Sequence, residues 1–186
     1  DPHRRPYTVD PSTRRVSLRR RLRSLPDERP RLALVAAVLA VELAGASGAV
    51  FTASGLASWY GTLQRPALAP PNWVFGPVWT ALFALMGVAV WLVWRRLSSP
   101  RIGRRARVAL ACFAVHFVAN IGWSLAFFGL QSVNLGLAVI VVLLALILLT
   151  VWAFDAVDRR AALLLVPYLC WTAFAAYLNY RFWVLN

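Results

Sequence analysis

The stretch Leu135–Phe154, LGLAVIVVLLALILLTVWAF, is almost entirely aliphatic and contains no charged side chain. An α-helix of about 20 residues is long enough to cross the hydrocarbon core of a bilayer, which is about 30 Å thick. This stretch therefore predicts a transmembrane helix. The whole chain agrees with that prediction, because 60% of its 186 residues are hydrophobic and its mean hydropathy is +0.63. A chain with these values is more apolar than a typical soluble domain.

Four further apolar runs surround this one, and most of the charges lie between the runs. The predicted fold is an all-α integral membrane bundle of five transmembrane helices over residues 32–186. Its spans are Leu32–Gly55, Val74–Trp94, Val108–Phe128, Leu135–Phe154 and Ala161–Trp183. The preceding tail, Asp1–Arg31, is rich in arginine and proline and lacks the apolar core of a signal peptide. We expect it to be disordered and cytoplasmic, with a short basic surface helix around Ser17–Leu25.

Arginine carries all of the positive charge, and its distribution along the chain alternates from one loop to the next. Ten arginines lie in the tail, six between the second and third spans, and two between the fourth and fifth. The remaining two are Arg65 in the first loop and Arg181 near the C-terminus. By the positive-inside rule, the N-terminus is cytoplasmic and the C-terminus lies on the opposite side of a plasma (inner) membrane. This arrangement explains the net charge of +13 without a nucleic-acid partner.

Several polar side chains fall inside the predicted spans. Glu42, near the middle of the first span, is either a ligand contact or proton-linked group, or a protonated carboxyl bonded to a neighbouring helix. His116, Asn120, Trp123 and Phe127 share one face of the third span, because they lie at i, i+4, i+7 and i+11. We expect this face to point towards a cavity or other helices. A single histidine without a nearby carboxylate predicts no metal site, and we assign no catalytic residue.

Tryptophan is unusually frequent, with nine residues in the chain. Trp94, Trp152 and Trp183 lie near span ends and fit an interfacial aromatic belt. Trp123 and Trp171 lie within spans, where an indole suits stacking on a planar aromatic ligand. The proline-rich loop Trp59–Trp79 is either a lid over the bundle or an interface anchor, and composition does not choose between them.

Three segments carry a family resemblance. They are WYGTLQRPALAPPNWVFGPVWTALFALMGVAVWLVW (59–94), NIGWSLAFFG (120–129) and PYLCWTAFAAYLNYRFWVLN (167–186). Together they resemble the tryptophan-rich sensory protein and translocator protein family, also called TspO/MBR or the peripheral benzodiazepine receptor family. The resemblance implies a five-helix bundle, usually a homodimer, that binds porphyrins such as protoporphyrin IX as ligands rather than as cofactors.

The resemblance also implies ligand-binding positions. They are Trp59, Trp79, Asn120, Trp123, Trp171, Ala175 and Leu178, and to them we add Phe75, His116 and Glu42 as candidates. Leu68 and Leu135 stand where many members have an aromatic residue, which predicts a less aromatic mouth. Arg181 follows Tyr180 directly, so the spacing of the proposed cholesterol motif is not met.

The predicted function is that of a receptor-like membrane protein for tetrapyrroles or similar planar apolar ligands, used in tetrapyrrole homeostasis or stress sensing. Two alternatives stay open. One is the light- and oxygen-dependent degradation of porphyrin that some members of the family promote. The other is transport of a tetrapyrrole or lipid, although the sequence contains no evident inverted repeat.

Overall fold

A computed structural model describes residues 21–186, and every regular element in that part of the chain is helical. Five helices are long and apolar enough to cross a membrane. They are α1 (Pro30–Ser58), α2 (Phe75–Trp94), α3 (Gly103–Ser124), α4 (Val133–Asp155) and α5 (Arg159–Leu185). The prediction of an all-α bundle with five spans is therefore confirmed.

Four of the five helices are longer than the apolar runs that predicted them, and α2 begins one residue later than predicted. α1 continues past Gly55 to Ser58, and α3 begins at Gly103, before the apolar run that starts at Val108. Hydropathy marks only the part of a helix that fits the hydrocarbon, whereas backbone hydrogen bonding continues beyond it. Residues 21–28 are also helical, and the rest of the predicted surface helix lies outside the described residues.

Local sequence signals account for several helix ends. Pro30 stands in the first turn of α1, where its missing N–H group costs no helical hydrogen bond. The Ser132 hydroxyl accepts a hydrogen bond from the backbone N–H of Leu135 at 3.2 Å, which caps α4. The Asp158 carboxylate accepts one from the backbone N–H of Arg160 at 3.0 Å, at the start of α5.

A π-helical turn, Leu125–Gly129, extends α3 towards the α3–α4 connection. It ends where the N–H of Leu130 donates to the carbonyl of Leu125 at 2.7 Å. The wider turn leaves three consecutive side chains buried: Ala126, Phe127 and Phe128. π-turns of this kind are frequent at functional sites, and this one brings two phenylalanine rings into the interior.

The five helices form a closed ring in the order α1, α2, α5, α4, α3. Within the ring, α1 and α2 are in close contact at Gly87, where an added Cβ atom would lie 2.5 Å from the Cα atom of Val38. Glycine is required there because the two backbones are in direct contact. The other end of α1 packs on the π-helical turn.

The bundle exposes large apolar side chains and buries several polar ones within a mostly apolar core. Leu43, Val118 and Trp152 are each at least 70% exposed on the outer surface. The buried polar side chains include His116, Asn120, Thr150, Thr172 and Asn179. An apolar outer surface is unusual for a soluble protein, and it fits a helix bundle surrounded by lipid.

The arginine-rich segments meet at one end of the bundle. Arg96 lies 3.4 Å from the carboxylate of Asp158, which joins the α2–α3 loop to the α4–α5 loop. The indole N–H of Trp94 donates to the carbonyl of Leu22 at 3.0 Å, which attaches the segment before α1 to the same end. Five membrane crossings require the segment before α1, the α2–α3 loop and the α4–α5 loop to lie at the same end of the bundle, and these contacts place them there.

Candidate functional site

The larger of two neighbouring cavities lies between α1, α2 and α3 and has a volume of about 320 Å³. Small side chains of α1, including Gly45, Ala46, Gly48, Ala49 and Ala53, form one wall. The facing aromatic wall consists of Phe75, Trp79 and Phe83. Its polar groups belong to Glu42, Thr52, Asn72, Thr80, Asn120 and Ser124. The volume lies within the ordinary range of small-molecule sites, at its lower end.

This larger cavity is elongated along α1. Its lining extends from Leu56 and Asn72, near the α1–α2 loop, to Glu42 in the middle of the helix. Since a helix rises about 1.5 Å per residue, the distance between Leu56 and Glu42 is roughly 21 Å. The cavity thus has one end at the loop, which we call the shallow end, and another about halfway along α1, which we call the deep end.

The smaller cavity lies next to it and measures only about 20 Å³. Trp123, Ala175 and Leu178 line it together with Asn179 and several aromatic rings. A space of this size holds about one water molecule. In this conformation it does not hold a planar ligand.

Phe75 lines both cavities and lies where they adjoin. Its ring makes edge contacts with Tyr60, at a centroid distance of 6.4 Å, and with Trp171, at 6.3 Å. Rotation of this one side chain would therefore change the boundary between the two spaces.

The ten sequence-predicted positions fall into three groups: residues that line a cavity, residues behind the cavity walls, and one residue apart from both cavities. Glu42, Phe75, Trp79 and Asn120 line the larger cavity, and Phe75, Trp123, Ala175 and Leu178 line the smaller one. Trp59 and Trp171 stand just behind these walls. Trp59 packs edge-on against Phe127, at a centroid distance of 5.3 Å, and Trp171 packs against Phe75.

The third group is His116 alone, which lines neither cavity. It is fully buried in the core, where one ring nitrogen lies 3.0 Å from the hydroxyl of Thr150 on α4. Its ring also packs against Tyr168, at a centroid distance of 5.6 Å. These contacts join α3 to α4 and α5, and they hold the imidazole away from both the larger and the smaller cavity.

Hydrogen bonds fix the orientation of the other polar side chains on this face of α3. The Asn120 amide donates to the hydroxyl of Tyr168 at 2.7 Å. The Trp123 indole donates to the side-chain carbonyl of Asn179 at 3.2 Å, and the Asn179 amide donates to the backbone carbonyl of Val133 at 3.0 Å. Two of the predicted ligand contacts are therefore held by partners on α5.

Two sets of site residues were not among the predicted positions. The first is the small-residue wall of α1, whose members include Gly45, Gly48 and Thr52, spaced as one helix face. The second is the pair Tyr168 and Asn179, at i and i+11 on α5, which orient Asn120 and Trp123. In both cases the residues recur at helical spacing. Many apolar positions in the same spans share that spacing, so the pattern did not single these residues out.

Residues 36–184 match the sequence model of the TspO/MBR family. The chain belongs to the TspO/MBR family. The match extends from within the first span to the end of the fifth and includes the residues that line both cavities.

Similar TspO/MBR proteins occur in distant organisms. The chain is 44% identical to the tryptophan-rich protein TspO of Chlorobaculum tepidum, over 76% of this chain and 88% of that protein. It is 40% identical to the protein of the same name from Archaeoglobus fulgidus, over 83% of this chain and 97% of that one. It is 34% identical to the translocator protein of Bos taurus, over 83% of this chain and 90% of that one.

Proposed function

We propose that this TspO/MBR protein is a receptor-like membrane protein that binds a planar apolar ligand of the porphyrin class at the loop end of its bundle. The observation that carries the proposal is the position of Phe75, which lines both the larger cavity and the smaller, aromatic-lined one. When this ring turns, the two spaces join into a larger, flatter site. The family resemblance, which implies porphyrin binding, supplies the ligand class.

The positions of the tryptophans support this proposal. Trp79 faces the larger cavity and Trp123 the smaller one, while Trp59 and Trp171 support the walls between them. Each favourable aromatic pair contributes about 0.5–1.5 kcal/mol beyond the burial of its area. A ligand that contacts two or more of these rings would therefore bind selectively over an aliphatic molecule of equal size.

The α1–α2 loop offers a positive charge beside Tyr60, which lines the smaller cavity. Arg65 lies in the α1–α2 loop, donates to the carbonyl of Pro70 at 2.9 Å, and stands over the ring of Tyr60 at 5.2 Å. Its side chain is exposed, so it remains available to the carboxylates of a tetrapyrrole. The ligand would thus orient its acidic edge towards the loop and its apolar edge towards the bundle.

Titration with protoporphyrin IX in the dark tests this function through quenching of tryptophan fluorescence. We expect saturable quenching by the native protein. Trp79→Phe should weaken binding about fivefold, the equivalent of about 1 kcal/mol of lost stacking. Trp152→Phe is the matched control, because Trp152 is 71% exposed on the outer face of α4 and should not affect affinity.

A further variant tests the role assigned to Phe75. If the two spaces join, Trp171→Phe should also weaken binding, because the indole behind Phe75 then touches the ligand. Quenching that does not saturate, or that is equally reduced by Trp79→Phe and Trp152→Phe, would refute the proposed site.

We also propose that the arginine-rich end faces the cytoplasm of a cell bounded by a plasma (inner) membrane, so that the ligand mouth opens on the opposite side. Single cysteines introduced by Gly61→Cys and Arg101→Cys, after Cys112 and Cys170 are changed to alanine, report the sidedness. A membrane-impermeant maleimide should label Gly61→Cys on intact cells and Arg101→Cys only after lysis. The opposite labelling order would contradict this orientation.

A further inference from the structure

The deep end of the larger cavity contains a carboxyl group in the middle of a transmembrane helix. Glu42 lies 12 residues after Pro30 and 16 before Ser58, which corresponds to about 18 Å and 24 Å along α1. Within residues 21–186, no hydrogen bond or ion pair engages its carboxyl. From the sequence we considered a hydrogen bond from Glu42 to a neighbouring helix, and the described residues do not form one. A carboxyl at this depth requires a partner or water, and the cavity beside it has room for one.

The polar groups around this cavity favour a ligand that donates hydrogen bonds. The hydroxyl of Thr52 donates to the carbonyl of Gly48 at 3.4 Å, and that of Thr80 donates to the carbonyl of Gly76 at 3.1 Å. Their hydrogens are thus used within their own helices, and their oxygens offer lone pairs. Glu42 adds a carboxyl group, and no arginine lines this cavity.

The walls near Glu42 favour an apolar body attached to that donor. Phe83 lies directly against Gly45, where any side chain would collide with its ring. Trp79 packs on Phe83 at a centroid distance of 5.3 Å and continues the aromatic wall towards the loop. Aromatic faces also attract cations, so the same surface accepts both an apolar body and a positively charged head.

We propose that the deep end of this cavity is a binding site for a lipophilic amine. The protonated nitrogen donates hydrogen bonds to Glu42, and the apolar body lies along the small-residue wall of α1 towards the loop. The site does not depend on tetrapyrrole binding, since it uses the half of the cavity opposite the mouth. An amine in a lipid headgroup stays at the membrane surface, about 18 Å from Glu42, so the occupant is a free amine.

The overall charge of the protein makes this preference distinctive. With a net charge of +13 and arginines near both ends of the bundle, the long-range field repels cations. Preferential binding of an amine therefore requires a negative group close to the ligand. Among the residues that line the cavity, Glu42 supplies that group.

Three pyrene probes that differ only in their polar group test the site: pyrenemethylamine, pyrenemethanol and pyrenecarboxylic acid. Binding to protein in phosphatidylcholine nanodiscs is followed by energy transfer from tryptophan to pyrene. We expect the amine to bind most tightly and the acid most weakly. Glu42→Gln should weaken amine binding roughly tenfold to a hundredfold, as expected when a hydrogen bond to a charged group is lost, and should leave the alcohol unaffected.

Two variants serve as controls. Glu28→Gln removes an exposed carboxylate outside the cavity and should leave the order of the probes unchanged. Ala49→Phe fills the cavity and should abolish binding of both the amine and the alcohol. Thermal unfolding confirms that each variant is folded, and Glu42→Gln should be at least as stable as the native protein, because it removes a carboxyl from the membrane interior.

The proposal is overturned if the native protein binds amine and alcohol equally, or if Glu42→Gln keeps the preference for the amine. Competition by phosphatidylethanolamine, when it replaces half of the phosphatidylcholine, would also overturn it, because the amine would then come from a lipid headgroup. Each of these results is separable from the protoporphyrin titration, which reports the shallow end of the cavity.

Discussion

We expect Gly87→Val to be among the most destabilising single substitutions in the bundle. The Cβ atom of any side chain at this position would lie 2.5 Å from the Cα atom of Val38 and 3.1 Å from its nitrogen. These are backbone atoms and cannot rotate away, so α1 and α2 must separate along their whole contact. Overpacking of this kind costs about 1–3 kcal/mol, and valine, with two further carbons, should reach the upper part of that range.

The measurement is the thermal unfolding midpoint of the purified protein in detergent, which we expect to fall by roughly 5–10 °C. Gly122→Ala is the matched control, because a Cβ atom at this helical glycine of α3 would meet no atom within 4 Å. It should keep or raise the midpoint, since alanine is favoured over glycine in a helix by about 1 kcal/mol. Equal midpoints for Gly87→Val and the native protein would contradict the close contact.

The second large effect is expected for Asn179→Ala, which should weaken both stability and porphyrin binding. Asn179 is 1% exposed, accepts from the Trp123 indole at 3.2 Å, and donates to the backbone of Val133 at 3.0 Å. Without it, a buried indole N–H loses its partner, which costs about 1–3 kcal/mol of folding free energy. The freed Trp123 ring would also leave the orientation in which it lines the smaller cavity.

A double-mutant cycle with Trp123→Phe separates these two effects. If Asn179 acts on ligand binding by positioning Trp123, the double variant should bind protoporphyrin IX no more weakly than Trp123→Phe alone. Asn134→Ala is the control, because this asparagine is exposed at the start of α4. Additive losses in affinity would show that Asn179 does not act through Trp123.

These two substitutions affect different determinants of one site. Gly87 holds α1 against α2 below the larger cavity, whereas Asn179 connects α5 to the aromatic wall of the smaller one. Phe75 lines both cavities between these two positions. The contacts of α1 with α2 and of α5 with α3 thus set the shape of the site.

The sequence alone was sufficient to predict the five spans, because each helix must satisfy its backbone hydrogen bonds within a segment about 20 residues long. It also predicted that the arginine-rich segments lie on one side. The buried face of α3 followed from helical spacing, and the three motifs predicted the family. These properties depend on local composition and periodicity, which the order of residues records directly.

Only the tertiary structure decided how the inward residues are distributed. It placed His116 in the core beside Thr150, assigned Trp79 and Trp123 to different cavities that share Phe75, and positioned Glu42 at the deep end of the larger one. Helical periodicity shows which face of a helix points inward, but not which partner it meets there. That choice depends on the order of the helices in the ring and on contacts such as the one at Gly87, which join residues distant in sequence.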